Sequence, residues 1–220
     1  MEKNEVIDAI KELRQSAKKR NFSQTVDLLI SLHNLDLKKQ ENKVEVFATL
    51  PKSRGKKIKV CALVGGALFS DAKENADLAI IQEDFPAIAG NKKEMKKLAR
   101  EYDFFIAQAD VMPAIATSFG RFLGPKGKMP SPKAGAILSP KGSVKVVVDK
   151  LQKTVKLSVK TELDVKCPVG KESMSDDDIA ENILAARMAL VNALPQHEQN
   201  VKHTFIKFSM SKGIKIGGKK

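Results

Sequence analysis

Three short segments, far apart in the chain, combine cations with hydroxyl groups, apolar side chains or glycine. The first is residues 18–25, and its candidate contact residues are Lys19, Arg20, Phe22 and Thr25. Cations bind phosphates, while 2′-hydroxyls and unstacked bases need short polar groups and a flat surface, so this combination suits RNA. The sequence is equally compatible with an alternative in which Phe22 is a hydrophobic staple and the basic run is a solvated helix end.

The second and third segments lie in the last quarter of the chain. Residues 166–171 follow a predicted strand, and a glycine there would let backbone amides approach a phosphate closely. An ordinary strand-end turn explains this segment equally well. Residues 207–213 place hydroxyls, cations and a glycine in a terminal loop, which is also ambiguous by itself. The candidate RNA contacts of the two segments are Lys166, Gly170, Lys171, Lys207, Ser209, Met210, Ser211 and Lys212.

A further basic string, LGPKGKMP at residues 123–130, lies in the middle of the chain. Its prolines and glycines predict a rigid loop. Lys126 and Lys128 in this loop could grip a phosphate backbone, or the loop could cover a sheet edge, and we expect a mixed role. The Lys-rich helix predicted over residues 91–100 is better explained as a solvated face.

The net charge favours a polyanionic partner but does not place the site. The 220 residues include 39 Lys and Arg against 26 Asp and Glu, a net charge of +13. Such a field attracts nucleic acid, although a Lys-rich surface also serves solubility. Residues 1–55 carry 11 basic and 8 acidic residues (+3), residues 56–154 carry 17 and 10 (+7), and residues 155–220 carry 11 and 8 (+3). Charge alone therefore does not separate the ends from the middle, and the loop chemistry favours the ends.

Motifs of nucleotide-binding and catalytic sites are incomplete. The glycine pair at 65–66 follows a predicted strand but lacks the G-x-G-x-x-G pattern of dinucleotide-binding loops. In the string that ends in Gly-Lys at 127–128, Met129 replaces the Ser or Thr of a phosphate loop and Phe122 replaces its first glycine. We predict no catalytic residue and no cofactor, with a nucleotide-dependent enzyme using the middle region as the alternative.

The two cysteines and three histidines are scattered, without the spacing of a zinc site, so we predict no metal. Both cysteines lie in strand-like runs, which favours buried, reduced thiols. No apolar run reaches the roughly 18 residues of a membrane span. The N-terminal pattern predicts a helix and not a signal peptide. We expect a soluble, cytoplasmic protein that does not bind membranes.

Periodicity predicts the elements that carry these segments. Alternating apolar residues over 25–32 and 43–50 predict half-buried strands, and helical spacing over 5–18 predicts a first helix. Ser175, followed by three aspartates, predicts the N-cap of a long helix. Residues 124–142, with four prolines and four glycines, are predicted to be irregular.

The arrangement of elements predicts two domains. Short apolar strands alternate with helices in the middle of the chain, which is typical of βαβ units. Neither end has enough elements for its own core. We therefore predict one discontinuous α+β domain of residues 1–55 plus 155–220, interrupted by an α/β insert of residues 56–154. The chain would cross between domains near 51–55 and 151–156, and these crossings are predicted to form a hinge.

Several strings together resemble the large-subunit ribosomal protein L-one family in its archaeal version. They are RNFSQTVDLLISL, LP-x-x-RGK, DFFIAQADVMP, LGPKGKMPSP, PVGKESMSDDDIAENI and KFSMSKGIKI. The resemblance implies an α+β two-layer terminal domain and a Rossmann-like three-layer insert that binds no nucleotide. It also implies binding of large-subunit rRNA at the mobile stalk of the ribosome, help with release of exit-site tRNA, and repression of the protein's own mRNA. The protein would be a monomer when free, and Lys126 and Lys128 could contact tRNA.

The resemblance also places the main RNA surface on the terminal domain. Phe22 and Thr25 match one part of that surface, and Lys166, Gly170 and Lys171 match a second. A Thr-Met-Gly triad of the family corresponds to Ser209-Met210-Ser211, so Ser211 replaces a glycine. If that glycine permits a positive φ or a close approach of RNA, Ser211 must be strained or must shift the backbone, with Gly213 in partial compensation. Asn21 replaces a lysine that is frequent in the family.

Overall fold

The computed structural model describes residues 1–37, 44–140, 142–159 and 162–217. Two units are formed, one by the two ends of the chain, up to Lys56 and from Lys153, and the other by Lys57–Gln152. In chain order the elements are α1 (Lys3–Ser16), β1 (Thr25–Leu32), β2 (Glu45–Thr49), β3 (Val60–Val64), α2 (Phe69–Asn75), β4 (Leu78–Ile81), α3 (Phe85–Gly90), α4 (Lys92–Glu101), β5 (Phe104–Gln108), α5 (Met112–Leu123), β6 (Ile137–Leu138), α6 (Val144–Gln152), β7 (Thr154–Ser158), β8 (Asp164–Lys171), α7 (Asp176–Ala193), β9 (Val201–Phe208) and β10 (Ile214–Ile216).

The terminal unit is an antiparallel sheet covered on one face by helices. The strand order is β10-β9-β1-β8, and β2 and β7 form a separate antiparallel pair. Alternate residues of β1, from Val26 to Leu32, are buried in a core shared with α1 and α7. This burial follows from the two-residue period of a strand, and β1 has the predicted limits of 25–32. The predicted α+β two-layer fold is confirmed.

Helix α7 begins where its sequence predicts. The Oγ of Ser175 accepts a hydrogen bond from the backbone N–H of Asp178 at 3.2 Å. Three aspartates occupy the first turn, where the positive end of the helix dipole stabilises them. The buried side of α7, which includes Ile179 and Ile183, packs on β8 and β2.

The insert is a parallel sheet between two layers of helices. Its strand order is β4-β3-β5-β6. Helices α3, α4 and α5 pack together around one core, while α2 and α6 pack against each other. All five residues of β3 are buried, as expected for a strand covered on both faces. The predicted Rossmann-like three-layer arrangement is confirmed.

Four local features differ from the sequence prediction. Strand β6 lies within residues 124–142, which were predicted to be irregular, and pairs with the end of β5. Strand β10 forms in the basic tail by pairing with β9. Strands of two or three residues are too short to show a period, so only their partners reveal them. The Lys-rich helix also begins later than expected, because Asn91 ends α3 and caps α4. The strand predicted over 43–50 spans Glu45–Thr49, and residue 43 lies outside the described residues.

Both cysteines are free and buried, as predicted. Burial raises the pKa of the Cys167 thiol to about 12 and also raises that of Cys61, so both stay protonated at neutral pH. Among the described residues, no group of three or more His, Cys, Asp or Glu side chains is placed to hold a metal ion. In the same part of the chain, no helix is both long and apolar enough to cross a membrane.

Candidate RNA-binding site

The antiparallel sheet of the terminal unit brings the three candidate segments to one end. Both β8 and β9 run antiparallel to β1, so the start of β1 lies beside the ends of the other two strands. Thr25 is paired with Lys171, and Val26 is paired with Gly170 on one side and Phe208 on the other. Segments separated by nearly 150 residues or more along the chain therefore form one surface.

Gln24 ties the three segments together. Its backbone N–H donates to Glu172 Oε2 at 3.1 Å, and its carbonyl accepts from the Glu172 N–H at 2.9 Å. Its side-chain Oε1 accepts from the Met210 N–H at 3.3 Å. Gln24 is only 2% exposed. Gln24 was not among the predicted site residues, although its position two residues before Val26 places it on the buried face of the strand.

Phe22 and Met210 present large apolar side chains to solvent at this end of the sheet. Phe22 is 55% exposed and Met210 63% exposed. Such exposure does not fit the alternative in which Phe22 is a hydrophobic staple, and it leaves the ring free to stack on a base. Lys19 and Arg20 are exposed beside Phe22, and the three line a shallow groove of about 510 Å³ together with Glu172 and Ser173. The first segment therefore offers charge and a flat surface to a ligand.

Ser209 and Ser211 differ in what their hydroxyls contact. Ser209 is exposed, and its Oγ lies 3.5 Å from the carbonyl oxygen of Thr25, so the hydroxyl can still bind a ligand. Ser211 Oγ accepts from the Phe208 N–H at 2.8 Å and donates within the loop to the carbonyl of Lys212 at 2.9 Å. The hydroxyl of Ser211 therefore closes the turn after β9, and Lys212 is exposed beside it.

The backbone of Ser211 is not strained. Among the described residues, positive φ angles outside glycine occur at Asn34 and His197, and neither Ser211 nor Gly213 has one. The first of the two expected outcomes, strain at Ser211, is therefore not found, and a shift of the backbone stays a prediction. Serine fits this position because its side chain forms a hydrogen bond that a glycine could not form.

Replacing Ser211 with glycine is expected to lower the free energy of unfolding by about 1 kcal/mol, because the Phe208 N–H loses its acceptor. Urea unfolding would measure this change. Ser173→Gly is a matched control, since Ser173 is exposed and its hydroxyl has no hydrogen bond within the described structure. An equal loss in both variants would show that glycine flexibility, and not the hydroxyl, is responsible.

The second segment lies within a strand and not after one. Lys166, Gly170 and Lys171 all belong to β8, so the predicted loop position is wrong. Gly170 is buried, and a Cβ there would stand 3.2 Å from both Ile179 Cγ1 and Met174 Sδ. Close packing of β8 on α7 is therefore a sufficient reason for this glycine, and its expected approach to a phosphate is not supported. Lys166 is exposed and Lys171 is half-buried.

Lys166 and Lys207 flank a hollow on the open face of the sheet. The hollow measures about 350 Å³ and is also lined by Asp27, Leu29 and Pro168. Burial raises the pKa of Asp27, and the positive charge of Lys207 opposes that shift. Asp27 was not among the predicted site residues, although it follows Thr25 on the same face of β1. Its carboxylate can accept hydrogen bonds from the amino groups of bases or from 2′-hydroxyls.

The basic loop of the insert presents one of its two candidate lysines. Lys126 is exposed. Lys128 Nζ instead donates to the carbonyl of Tyr102 at 2.7 Å, and burial lowers the pKa of its ammonium group. The expected contact of Lys128 with RNA is therefore not supported, because its charge fastens the loop to the C-terminal end of α4.

The glycine turn of the insert is occupied by the protein's own side chains. The Gly65 N–H donates to Gln108 Oε1 at 3.0 Å, and Gln108 Nε2 donates to Asp110 Oδ2 at 3.2 Å. A pyrophosphate at this turn would have to displace Gln108 and approach the carboxylate of Asp110. The geometry therefore disfavours the alternative of a nucleotide-dependent enzyme.

Comparison with known proteins identifies relatives that span the whole molecule. The model of the ribosomal protein L1p/L10e family matches residues 13–212. A large ribosomal subunit protein uL1 of Pyrococcus abyssi is 36% identical over 218 residues, covering 99% of this chain and 97% of the relative. The uL1 proteins of Thermococcus kodakarensis and Methanococcus voltae are 37% and 39% identical over 217 residues, and each alignment covers 98% of this chain and at least 98% of the relative.

Proposed function

Because the chain belongs to the ribosomal protein L1p/L10e family, we propose that it is a structural protein of the large ribosomal subunit that binds large-subunit rRNA. The names of its relatives support the ribosomal role. The observation that carries RNA binding is the convergence of Lys19, Arg20, Phe22, Ser209 and Met210 on one end of the terminal sheet.

Different residues of this site supply the affinity for RNA and the recognition of RNA over DNA. Lys19, Arg20 and Lys212 neutralise phosphates, and each such contact makes binding weaker as salt increases. Ser209, Thr25 and nearby main-chain groups bind 2′-hydroxyls, which duplex DNA lacks. Phe22 and Met210 cover unstacked bases. The site therefore favours folded RNA over duplex DNA.

The finer role follows from the same site and from the insert. The rRNA target is the mobile stalk, and a similar structure in the protein's own mRNA is bound to repress translation. Lys126 of the insert contacts exit-site tRNA and assists its release. The chain passes between the units at Lys56/Lys57 and at Gln152/Lys153, and these two crossings act as a hinge. The protein is cytoplasmic, associated with the ribosome, and a monomer when free.

A competition assay at fixed salt tests the proposed function. A labelled rRNA stalk fragment is bound to the full chain and challenged with unlabelled stalk fragment, a fragment of the protein's own mRNA, and duplex DNA. The unlabelled stalk fragment and the mRNA fragment should compete at similar concentrations, and DNA should compete at least about 1,000-fold more weakly, as specific and non-specific binding usually differ. Equal competition by DNA would contradict specific RNA binding. Failure of the mRNA fragment alone would contradict only the repressor role.

A further inference from the structure

The outward face of helix α4 in the insert is rich in cations. Four residues, Lys93, Lys96, Lys97 and Arg100, are exposed there, and each lies three residues from one of the others and four from another. They span about 10 Å along the axis, from the rise of an α-helix. The opposite face of α4, with Met95 and Ala99, is buried in the core of the insert. The four cations, called the cation array below, therefore lie on a helix that is held in place by the core.

The acids of the same helix balance these charges only in part, since Lys59 and, more weakly, Lys97 lower the pKa of Glu101. Glu101 accepts a hydrogen bond from Lys59 Nζ at 2.8 Å, and Glu94 accepts one from Asn91 at 3.3 Å. None of the four cations forms an ion pair within the described parts of the chain. Like charges at these spacings destabilise a helix, and lysines near its N-terminal end oppose its dipole. Stability of the insert alone does not account for such an array.

The basic loop extends the array beyond the end of the helix. Tyr102 is the C-cap of α4, and its carbonyl accepts the hydrogen bond from Lys128. Burial lowers the pKa of Lys128, the charge of Asp103 opposes that shift, and the nearby charge of Lys126 adds to it. The four cations of the helix line a hollow of about 400 Å³ together with Glu101, and Lys126 lies in the loop that Lys128 joins to the end of the helix.

We infer that the outward face of α4, together with Lys126, is a second RNA-binding surface that binds the phosphate backbone of a duplex region. A straight row of cations on a rigid helix fits repeated phosphates, which attract Lys and Arg without regard to base sequence. A lipid surface fits less well, because the apolar side of α4 faces the core and cannot enter a membrane. This surface reads no sequence and adds salt-sensitive affinity on a different unit from the site at the end of the terminal sheet.

The test uses an RNA duplex of about 20 base pairs, longer than the roughly 16 base pairs that a duplex-binding domain covers. The full chain carrying Phe22→Ala and Ser209→Val is the parent, so binding at the terminal unit is weakened in every sample. Lys93→Gln with Lys97→Gln is then compared with Lys73→Gln and Lys145→Gln. The control lysines are exposed on α2 and α6, which pack together away from α4.

The Lys93→Gln with Lys97→Gln variant should lose two phosphate contacts, so its affinity should depend less steeply on salt than that of the parent. The ratio of parent affinity to variant affinity should therefore be about tenfold larger at about 50 mM salt than at about 200 mM, from the slope of counterion release. For the control pair, the ratio of parent affinity to variant affinity should stay near one at both salt concentrations. Lys93→Arg with Lys97→Arg should retain the parent affinity. The melting temperature of the Gln variant should not fall, because like charges have been removed.

Equal effects of the α4 pair and the control pair would overturn the inference. The inference would also be overturned if polyglutamate displaced the RNA duplex at a similar concentration of negative charge, since the surface would then bind any polyanion. The proposed rRNA site is tested separately, by titrating the stalk fragment into a chain that keeps Phe22 and Ser209. In that chain, Lys93→Gln with Lys97→Gln should retain most of the affinity for the stalk fragment.

Discussion

Replacing Phe22 with alanine and Ser209 with valine together is expected to weaken binding of a stalk rRNA fragment by about 2 kcal/mol or more, roughly 30-fold. The ring of Phe22 is the largest exposed aromatic surface at the site, and stacking on such rings contributes about 1–3 kcal/mol per base. Ser209 adds an exposed hydroxyl that valine cannot replace. Both side chains are exposed, so the fold should be retained.

Fluorescence titration of the full chain would measure this loss, and circular dichroism would verify the fold. Met188→Ala is a matched control, because Met188 on α7 is 64% exposed, similar to the exposure of Phe22. The control should leave the affinity unchanged within about twofold, as expected for a surface substitution outside a contact region. Unchanged binding by the correctly folded double variant would disprove the assignment of the site.

Replacing Gln24 with leucine is expected to lower both stability and affinity for RNA. Leucine keeps the buried volume but removes the oxygen that accepts from the Met210 N–H. Loss of this part-buried hydrogen bond lowers the free energy of unfolding by about 1 kcal/mol. Met210 then loses its hydrogen bond to the first segment, although the Ser209 N–H still donates to the Thr25 carbonyl at 3.1 Å. RNA affinity should fall about tenfold, if about 1.4 kcal/mol of preorganisation is lost.

Denaturant unfolding and RNA titration of the same samples would separate the two effects. Gln15→Leu is the control, since Gln15 is exposed on α1 and should change neither quantity appreciably. A loss of stability with full RNA affinity would show that Gln24 supports the fold without positioning the site. Full stability would contradict the role of its side chain altogether.

The sequence predicted much of the fold, because burial imposes a period on each long element. Strand β1 was predicted with its observed limits because every second residue from Val26 to Leu32 faces the core. Ser175 and the aspartates that follow it located the start of α7. Strands β6 and β10 were missed, because two or three residues show no period and form strands only through pairing with β5 and β9.

For the candidate site, the sequence identified the exposed side chains but not the residues that are used by the fold. The exposed members Lys19, Arg20, Phe22 and Ser209 were selected from residue type alone, since flat or charged side chains in loops need no neighbour to be useful. A role in RNA binding was also predicted for three residues that contact other parts of the protein instead, Gly170, Lys128 and Ser211. Each is engaged by a residue elsewhere in its unit or loop: Gly170 by Met174 and Ile179, Lys128 by Tyr102, and Ser211 by Phe208.

The sequence by itself determined the long elements, the excess of basic residues and the chemistry of the ends, because these depend on residue type and local spacing. Only the tertiary structure decided that the ends form one surface through Gln24, which joins Glu172 and Met210 at separations of 148 and 186 residues. It also decided which polar groups remain free for RNA and which are used by the fold. The physical reason is that a hydrogen-bonding group satisfied inside the protein is no longer available to a ligand, and its partner lies far along the chain or across a turn.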